Sequence, residues 1–205
     1  MKLHTDFLNA LIEKHNLNTY VEIGIFHTDH NFNKIKCPSK IGVDPEYTGT
    51  SESPIFKGTS DEFFENPLFS KITSKMFFID GLHHAEQVKK DFKNCLSRLD
   101  EGGFIMMHDC NPHSENITHV PRDNREWCGD TYKFACQLSK YGGIEFVTIN
   151  EDYGCTLVWK NDNKSPTTDV GVPPIEGMTW GYFQANKEIL LNLISVKQFK
   201  EKFLC

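Results

Sequence analysis

Residues Met76 to Pro112 read MFFIDGLHHAEQVKKDFKNCLSRLDEGGFIMMHDCNP, and this stretch decides the fold. Two continuous apolar runs, KMFFID and GFIMMHD, end in Asp80 and Asp109. A run with no polar alternation suits a strand covered on both faces, so both belong inside a parallel sheet. Between them Ala85, Val88, Phe92, Cys95, Leu96 and Leu99 step by three and four, which predicts a helix with Gly102 and Gly103 as its stop. Strand, helix and second strand in this order make the crossover unit of a parallel sheet.

The pattern extends in both directions. Leu8, Leu11, Ile12 and His15 share one face of a first helix, with Thr5 or Asp6 as its cap and Asn16 as its end. TYVEIGI, KIGVD and PIFKG follow as strands. After Asp109, CNPHSENITHVPRDNREWCG has no periodicity, and so long a loop inside a compact domain is usually functional or mobile. Asp130 can cap a helix through Tyr141, ended by Gly142 and Gly143. IEFVTIN and GCTLVWK then form a hairpin, so the last strand runs antiparallel. The expected architecture is α/β: a doubly wound, mostly parallel seven-stranded sheet with an antiparallel last strand, in three α/β/α layers. One domain spans 1–205, with a core over about 17–160, a polar loop over 161–180 and a C-terminal helix over 181–205.

Composition narrows the function. Hydrophobic content of 39% and charged content of 24% are those of a globular protein. MKLHTDFLNALIEKHNL carries no apolar export core, and no run reaches membrane-helix length, so a cytoplasmic chain with no membrane partner is expected. The 7 cysteines show no CxxC pair, which disfavours disulfides and structural zinc. A net charge of −6 without a basic run disfavours nucleic acid and leaves a small molecule as the expected ligand. A homodimer is allowed for, because the tail helix can pack on its own sheet or on a second copy.

In an open parallel sheet, ligands sit beyond the carboxyl ends of the strands. Glu22, Gly24, Asp44, Asp80 and Asp109 all stand at such ends. Asp44 falls 20 residues past Gly24, the interval at which an acidic side chain can meet a ribose hydroxyl, though Asp before Pro is also turn chemistry. EIGIFHTDH has one glycine where a dinucleotide loop has three, which suits a ligand without phosphates. The carboxylates of Asp80 and Asp109 suit Mg²⁺ or a similar hard cation, with Asn111 as a third oxygen; alternatively they cap helices and loops. His83, three residues past Asp80, is placed to accept a proton. His84 and His108 read as structural and His27 and His30 as exposed. Trp127, Arg122 and Arg125 either close over substrate or form a solvated loop face.

The blocks YVEIGIF, IGVDPE, GTSDEFF, FIDGLHHAEQVKKDF, LDEGGFIMMHDCNP and WCGDTYK, in this order, resemble class I S-adenosylmethionine-dependent methyltransferases over about residues 17–160. More narrowly they are similar to the small-molecule O-methyltransferase-like group with IDG-x-H and GG-x-I-x-x-HD strand ends. The resemblance implies a Rossmann-like sheet and S-adenosylmethionine as cofactor. It places Glu22 and Gly24 by the methionine part, Asp44 at the ribose, Ser60 and Asp61 by the adenine, and Asp80 at the cofactor's border. Phe26 and Thr28 stand in the first loop where small residues are usual. It also implies a divalent cation on Asp80, Asp109 and Asn111 that binds the substrate's hydroxyl oxygens, and His83 rather than His84 as base. The expected function is metal-assisted O-methylation of a small polar hydroxyl acceptor, sugar-like or phenolic. The rivals are a binding or assembly module that has lost catalysis, motivated by the altered first loop, and a nicotinamide-dependent oxidoreductase.

Overall fold

The computed structural model describes residues 1–166 and 171–205, so part of the polar loop expected over 161–180 lies outside the described residues. The strands are Thr19–Ile23 (β1), Ser39–Val43 (β2), Ile55–Phe56 (β3), Ser74–Ile79 (β4), Leu99–Met107 (β5), Ile144–Ile149 (β6), Cys155–Lys160 (β7) and Leu193–Ile194 (β8). The helices are His4–His15 (α1), Ser60–Glu65 (α2), Ala85–Ser97 (α3), Thr131–Ala135 (α4), Trp180–Leu190 (α5) and Val196–Phe203 (α6). One sheet runs in the order β3-β2-β1-β4-β5-β7-β6-β8. Only β7 runs against the rest, paired antiparallel with both β5 and β6.

The sheet has eight strands rather than seven, because the two-residue β8 adds to the β6 edge. The chain winds outward from β1 through β2 to β3, then restarts at β4 and winds the other way. The order therefore reverses between β1 and β4, where the loops at the strand ends diverge and leave a crevice.

The apolar runs have the predicted cause. Phe77 and Ile79 of β4 pack in a layer with Val88 and Phe92 of α3, Phe134 of α4 and Phe183 of α5. Met76 and Phe78 point to the other layer, with Phe7 and Leu11 of α1 and Phe199 of α6. Both faces are buried, so alternation would place polar groups in one core or the other.

Several boundaries differ from the sequence reading. The N-cap position of α1 is Leu3, not Thr5 or Asp6; the Thr5 hydroxyl instead donates to Asn31 Oδ1 at 2.7 Å, while Asn16 ends the helix in the left-handed conformation as expected. Helix α3 ends at Ser97, and Gly102 and Gly103 lie inside β5. A Cβ on Gly103 would stand 2.5 Å from the carbonyl oxygen of Lys75, so that glycine serves strand approach and not helix termination. Helix α4 covers only Thr131–Ala135 and is followed by a 3-10 turn at Leu138–Lys140. Asp130 makes no side-chain cap to α4; its Oδ1 accepts from the Ala85 amide at 2.7 Å and so caps α3. The tail is two helices, because Asn192 turns at φ 47 and Ser195 opens α6 with a reciprocal capping box to Gln198. No helix among the described residues is long and apolar enough to cross a membrane.

Candidate functional site

At the β1/β4 reversal lies a cleft of about 910 Å³. Its wall includes Glu22 in β1, Gly24, Phe26 and His30 after β1, Asp44 after β2, Thr59 to Asp61 at the start of α2, Asp80 to His83 after β4, and Arg122 with Trp127 from the long loop. Gly24 holds φ +88, and a Cβ there would stand 2.1 Å from the carbonyl oxygen of Asp80. Only glycine lets the ends of β1 and β4 come this close.

Asp44 organises the loop after β1. Its Oδ2 accepts from the amides of Ile25 at 2.9 Å and Phe26 at 3.0 Å, and its Oδ1 from Glu46 at 2.7 Å. Glu22 is buried, and its Oε2 accepts from the Tyr20 hydroxyl and from Asn31 Nδ2. Burial pushes its carboxyl up to about 8. At the start of α2, Gln87 Nε2 of α3 donates to Ser60 Oγ, Asp61 Oδ1 and Asp91 Oδ1 at 3.1 to 3.2 Å, joining the two helices along the cleft edge. Phe26 adopts φ 55 with its side chain 73% exposed, a conformation that costs a bulky residue on the order of 1 kcal/mol or more.

The strand ends after β4 and β5 carry a charged chain. His83 Nδ1 lies 3.1 Å from both the Trp127 carbonyl oxygen and Asp109 Oδ2, and its Nε2 lies 3.4 Å from Asp80 Oδ1. His108 Nδ1 lies 3.1 Å from Asp80 Oδ1 and 3.5 Å from Asp109 Oδ1. Burial works to raise the Asp80 carboxyl, but the His108 and His83 charges outweigh it and hold it well below the usual range. Burial works to lower the His83 imidazole, and the hydrogen bond of Asp80 and charge of Asp109 outweigh it and raise it. Asp109, buried at φ 59, is raised by burial. One oxygen of each carboxylate and one His108 nitrogen lie within 4.8 Å of one another.

The cleft thus gathers Glu22, Gly24, Phe26, Asp44, Ser60, Asp61, Asp80 and His83, all named from sequence. Asp109 lies behind His83 and does not form the cleft wall, yet it contacts that ring. Asn111 also lies off the wall: its Nδ2 donates to Asn150 Oδ1 at 2.9 Å, while its own Oδ1 is buried without a partner. His108 pairs with a candidate metal ligand, and His30 is exposed as expected, at the edge of the cleft. The sequence reading missed His4, Gln87 and Asp152. Nothing in the spacing of His4 signals that Asp152, in the β6–β7 turn, accepts from it.

Comparison with known proteins bears on the fold. A family model described as a methyltransferase domain matches residues 7–110. No curated protein sequence matches the chain. Among solved structures, the chain is similar to a Staphylococcus aureus protein assigned as a caffeoyl-CoA O-methyltransferase, at 19% identity and TM-score 0.53 over 77% of this chain and 82% of that one. It is similar to the SAH-bound methyltransferase PaMTH1 of Podospora anserina, at 15% identity and TM-score 0.57 over 77% and 78%. It is also similar to an O-methyltransferase of Bacillus cereus in complex with SAH, at 13% identity and TM-score 0.53 over 75% and 78%. At these identities the likeness is one of fold.

Proposed function

The chain belongs to the methyltransferase-domain family, and from that premise we propose that it moves the methyl group of S-adenosylmethionine to a hydroxyl of a small polar acceptor, with His83 as proton acceptor. The observation that carries this reading is one shared cleft. Gly24, Asp44, Ser60 and Asp61 border it on one side, and Asp80, His83 and Trp127 on the other. The SAH-bound structures of similar fold support the choice of donor.

S-adenosylmethionine supplies a sulfonium methyl open to displacement. The residues fit it as follows. Gly24 lets the ends of β1 and β4 close up beside the place of the methionine part, and Asp44, which accepts three amide hydrogen bonds, keeps a lone pair for a ribose hydroxyl. Ser60 and Asp61, tied to Gln87, border the place of the adenine. Since the ligand has no phosphates, the lone glycine of the first loop is no obstacle.

His83 Nδ1 faces two acceptors at 3.1 Å, Trp127 O and Asp109 Oδ2, so it carries the ring proton of the neutral form; Nε2, 3.4 Å from Asp80 Oδ1, takes the proton of the acceptor hydroxyl, and Asp80 steadies the cation that results. Asp109 then balances the imidazolium charge. In-line displacement needs placement more than covalent help, so these positioning contacts carry much of the rate. Asp80 and Asp109 offer the hard oxygens that a divalent cation such as Mg²⁺ takes, with the partnerless Oδ1 of Asn111 as third donor. Such an ion would lower the acceptor hydroxyl's pKa.

A second reading, a methyltransferase fold that binds without catalysis, is favoured by Phe26, a large residue in a left-handed conformation on the cleft wall. Calorimetry with S-adenosylmethionine, S-adenosylhomocysteine and NAD separates the readings, followed by transfer of labelled methyl to a panel of sugars and phenols. Binding of the first two with transfer to a hydroxyl supports the enzyme. Binding without transfer to any acceptor supports the module, and binding of neither sinks both.

A further inference from the structure

Beside the cleft lies a group that the proposed methyl transfer does not use. His4 comes from α1, His108 follows β5, and Asp152 sits in the turn between β6 and β7. One ligand atom from each lies within 4.8 Å of the other two.

The state of His108 is what points to a ligand. Its Nδ1 donates to Asp80 Oδ1 at 3.1 Å, which leaves Nε2 as the nitrogen that can meet a ligand. That Nε2 is sealed from solvent, has no hydrogen-bond partner, and faces Asp152 Oδ2 at 3.4 Å in a side chain only 10% exposed. A buried polar atom left unpaired is costly, and a bound ion would relieve that cost.

The other two members are held in place. Asp152 Oδ2 accepts from the His4 amide at 2.6 Å and lies 2.8 Å from His4 Nδ1. The His4 ring stacks on Phe78 at 5.2 Å and stands edge-on to His108 at 4.6 Å. An imidazole oriented by a carboxylate on its far nitrogen, and a carboxylate oriented by a backbone amide, are the supports that metal ligands receive in proteins.

We propose that His4, His108 and Asp152 form a binding site for a divalent transition-metal ion, of the kind Zn²⁺, Co²⁺ or Fe²⁺. Two imidazole nitrogens and one carboxylate favour these ions over Mg²⁺. The ion accepts the lone pairs of His108 Nε2, His4 Nδ1 and the Asp152 carboxylate, and the His4 ring proton passes from Nδ1 to Nε2, so that imidazole binds as a neutral ligand. These donor atoms are separate from the oxygens of Asp80 and Asp109. Through His4 the site borders the cleft, and through His108 it touches Asp80.

The test is titration of the metal-stripped full chain with Co²⁺ alone, followed by its visible absorption and by calorimetry. One ion per chain is expected at this site, apart from any that Asp80 and Asp109 hold. His4→Ala and Asp152→Asn should each weaken binding at least about tenfold, while Asp109→Asn and the surface variant His119→Ala leave it within about twofold. Circular dichroism of each variant without metal checks that it is folded, and His4→Ala alone decides if Asp152→Asn is not. The proposal fails if no Co²⁺ binds, or if His4→Ala leaves the affinity unchanged. It also fails if only Asp109→Asn or His119→Ala abolishes binding, which would place the ion at the strand ends or on the surface.

Discussion

Trp127 lies flat against His83, with ring centroids 5.0 Å apart and planes at 20°, while its carbonyl oxygen sits 3.1 Å from His83 Nδ1. One loop residue therefore sets both the plane of the imidazole and the nitrogen that holds its proton. Two residues on, Gly129 at φ +57 brings the backbone so near that a Cβ would stand 1.9 Å from the His83 carbonyl oxygen. The loop is docked on the strand end. Trp127→Ala should lower kcat about tenfold while S-adenosylhomocysteine affinity changes less than threefold, because ring placement and not the nucleoside site is disturbed. Equal kcat for Trp127→Ala and wild type would remove this role.

His83→Ala deletes the proposed proton acceptor. General bases contribute roughly 10²–10⁴ in rate, so kcat should fall by about that factor while calorimetry shows S-adenosylmethionine still bound. A variant as active as wild type would show that another group, or solvent, takes the proton.

Gly24→Ala places a methyl 2.1 Å from the Asp80 carbonyl oxygen at φ +88. The strand ends must part and the backbone must adopt a disfavoured angle, at a cost of about 2 kcal/mol or more. Denaturant unfolding should show a lower midpoint with an unchanged slope. A midpoint within error of wild type would mean that the two strand ends are looser than described.

Glu22 links stability to pH. Burial raises its folded-state carboxyl to about 8, whereas an unfolded glutamate ionises near 4.5. The stabilisation is thus complete below the unfolded value and is lost as pH rises toward the folded one, with a slope of at most about 1.4 kcal/mol per pH unit. Glu22→Gln still accepts from Tyr20 and Asn31 but has no such proton to lose. Melting curves from about pH 5 to 8 should show wild type losing ground to Glu22→Gln, and parallel curves would contradict the buried neutral acid.

Chelation addresses the hard cation proposed on Asp80 and Asp109. EDTA should suppress turnover and Mg²⁺ restore it, and Asp109→Asn should lose the restoration. Turnover indifferent to EDTA would leave His83 to act without a metal.

The sequence alone determined the sheet and its ligand edge. KMFFID and GFIMMHD read as strands buried on both faces, and Met76 to Ile79 and Phe104 to Met107 do alternate between the two apolar layers. The acidic and glycine positions Glu22, Gly24, Asp44 and Asp80 followed from that, because strand ends in a parallel sheet converge on one edge. What tertiary structure decided was pairing across long separations. His4 meets Asp152 across 148 positions, and Asp130 caps a helix that begins at Ala85. No local period records such meetings; they depend on where independently formed elements dock. The same reason hid the two-helix tail, where β8 exists only because the β6 edge offers it hydrogen bonds, and the seating of Trp127 on His83, which a loop without periodicity could not announce.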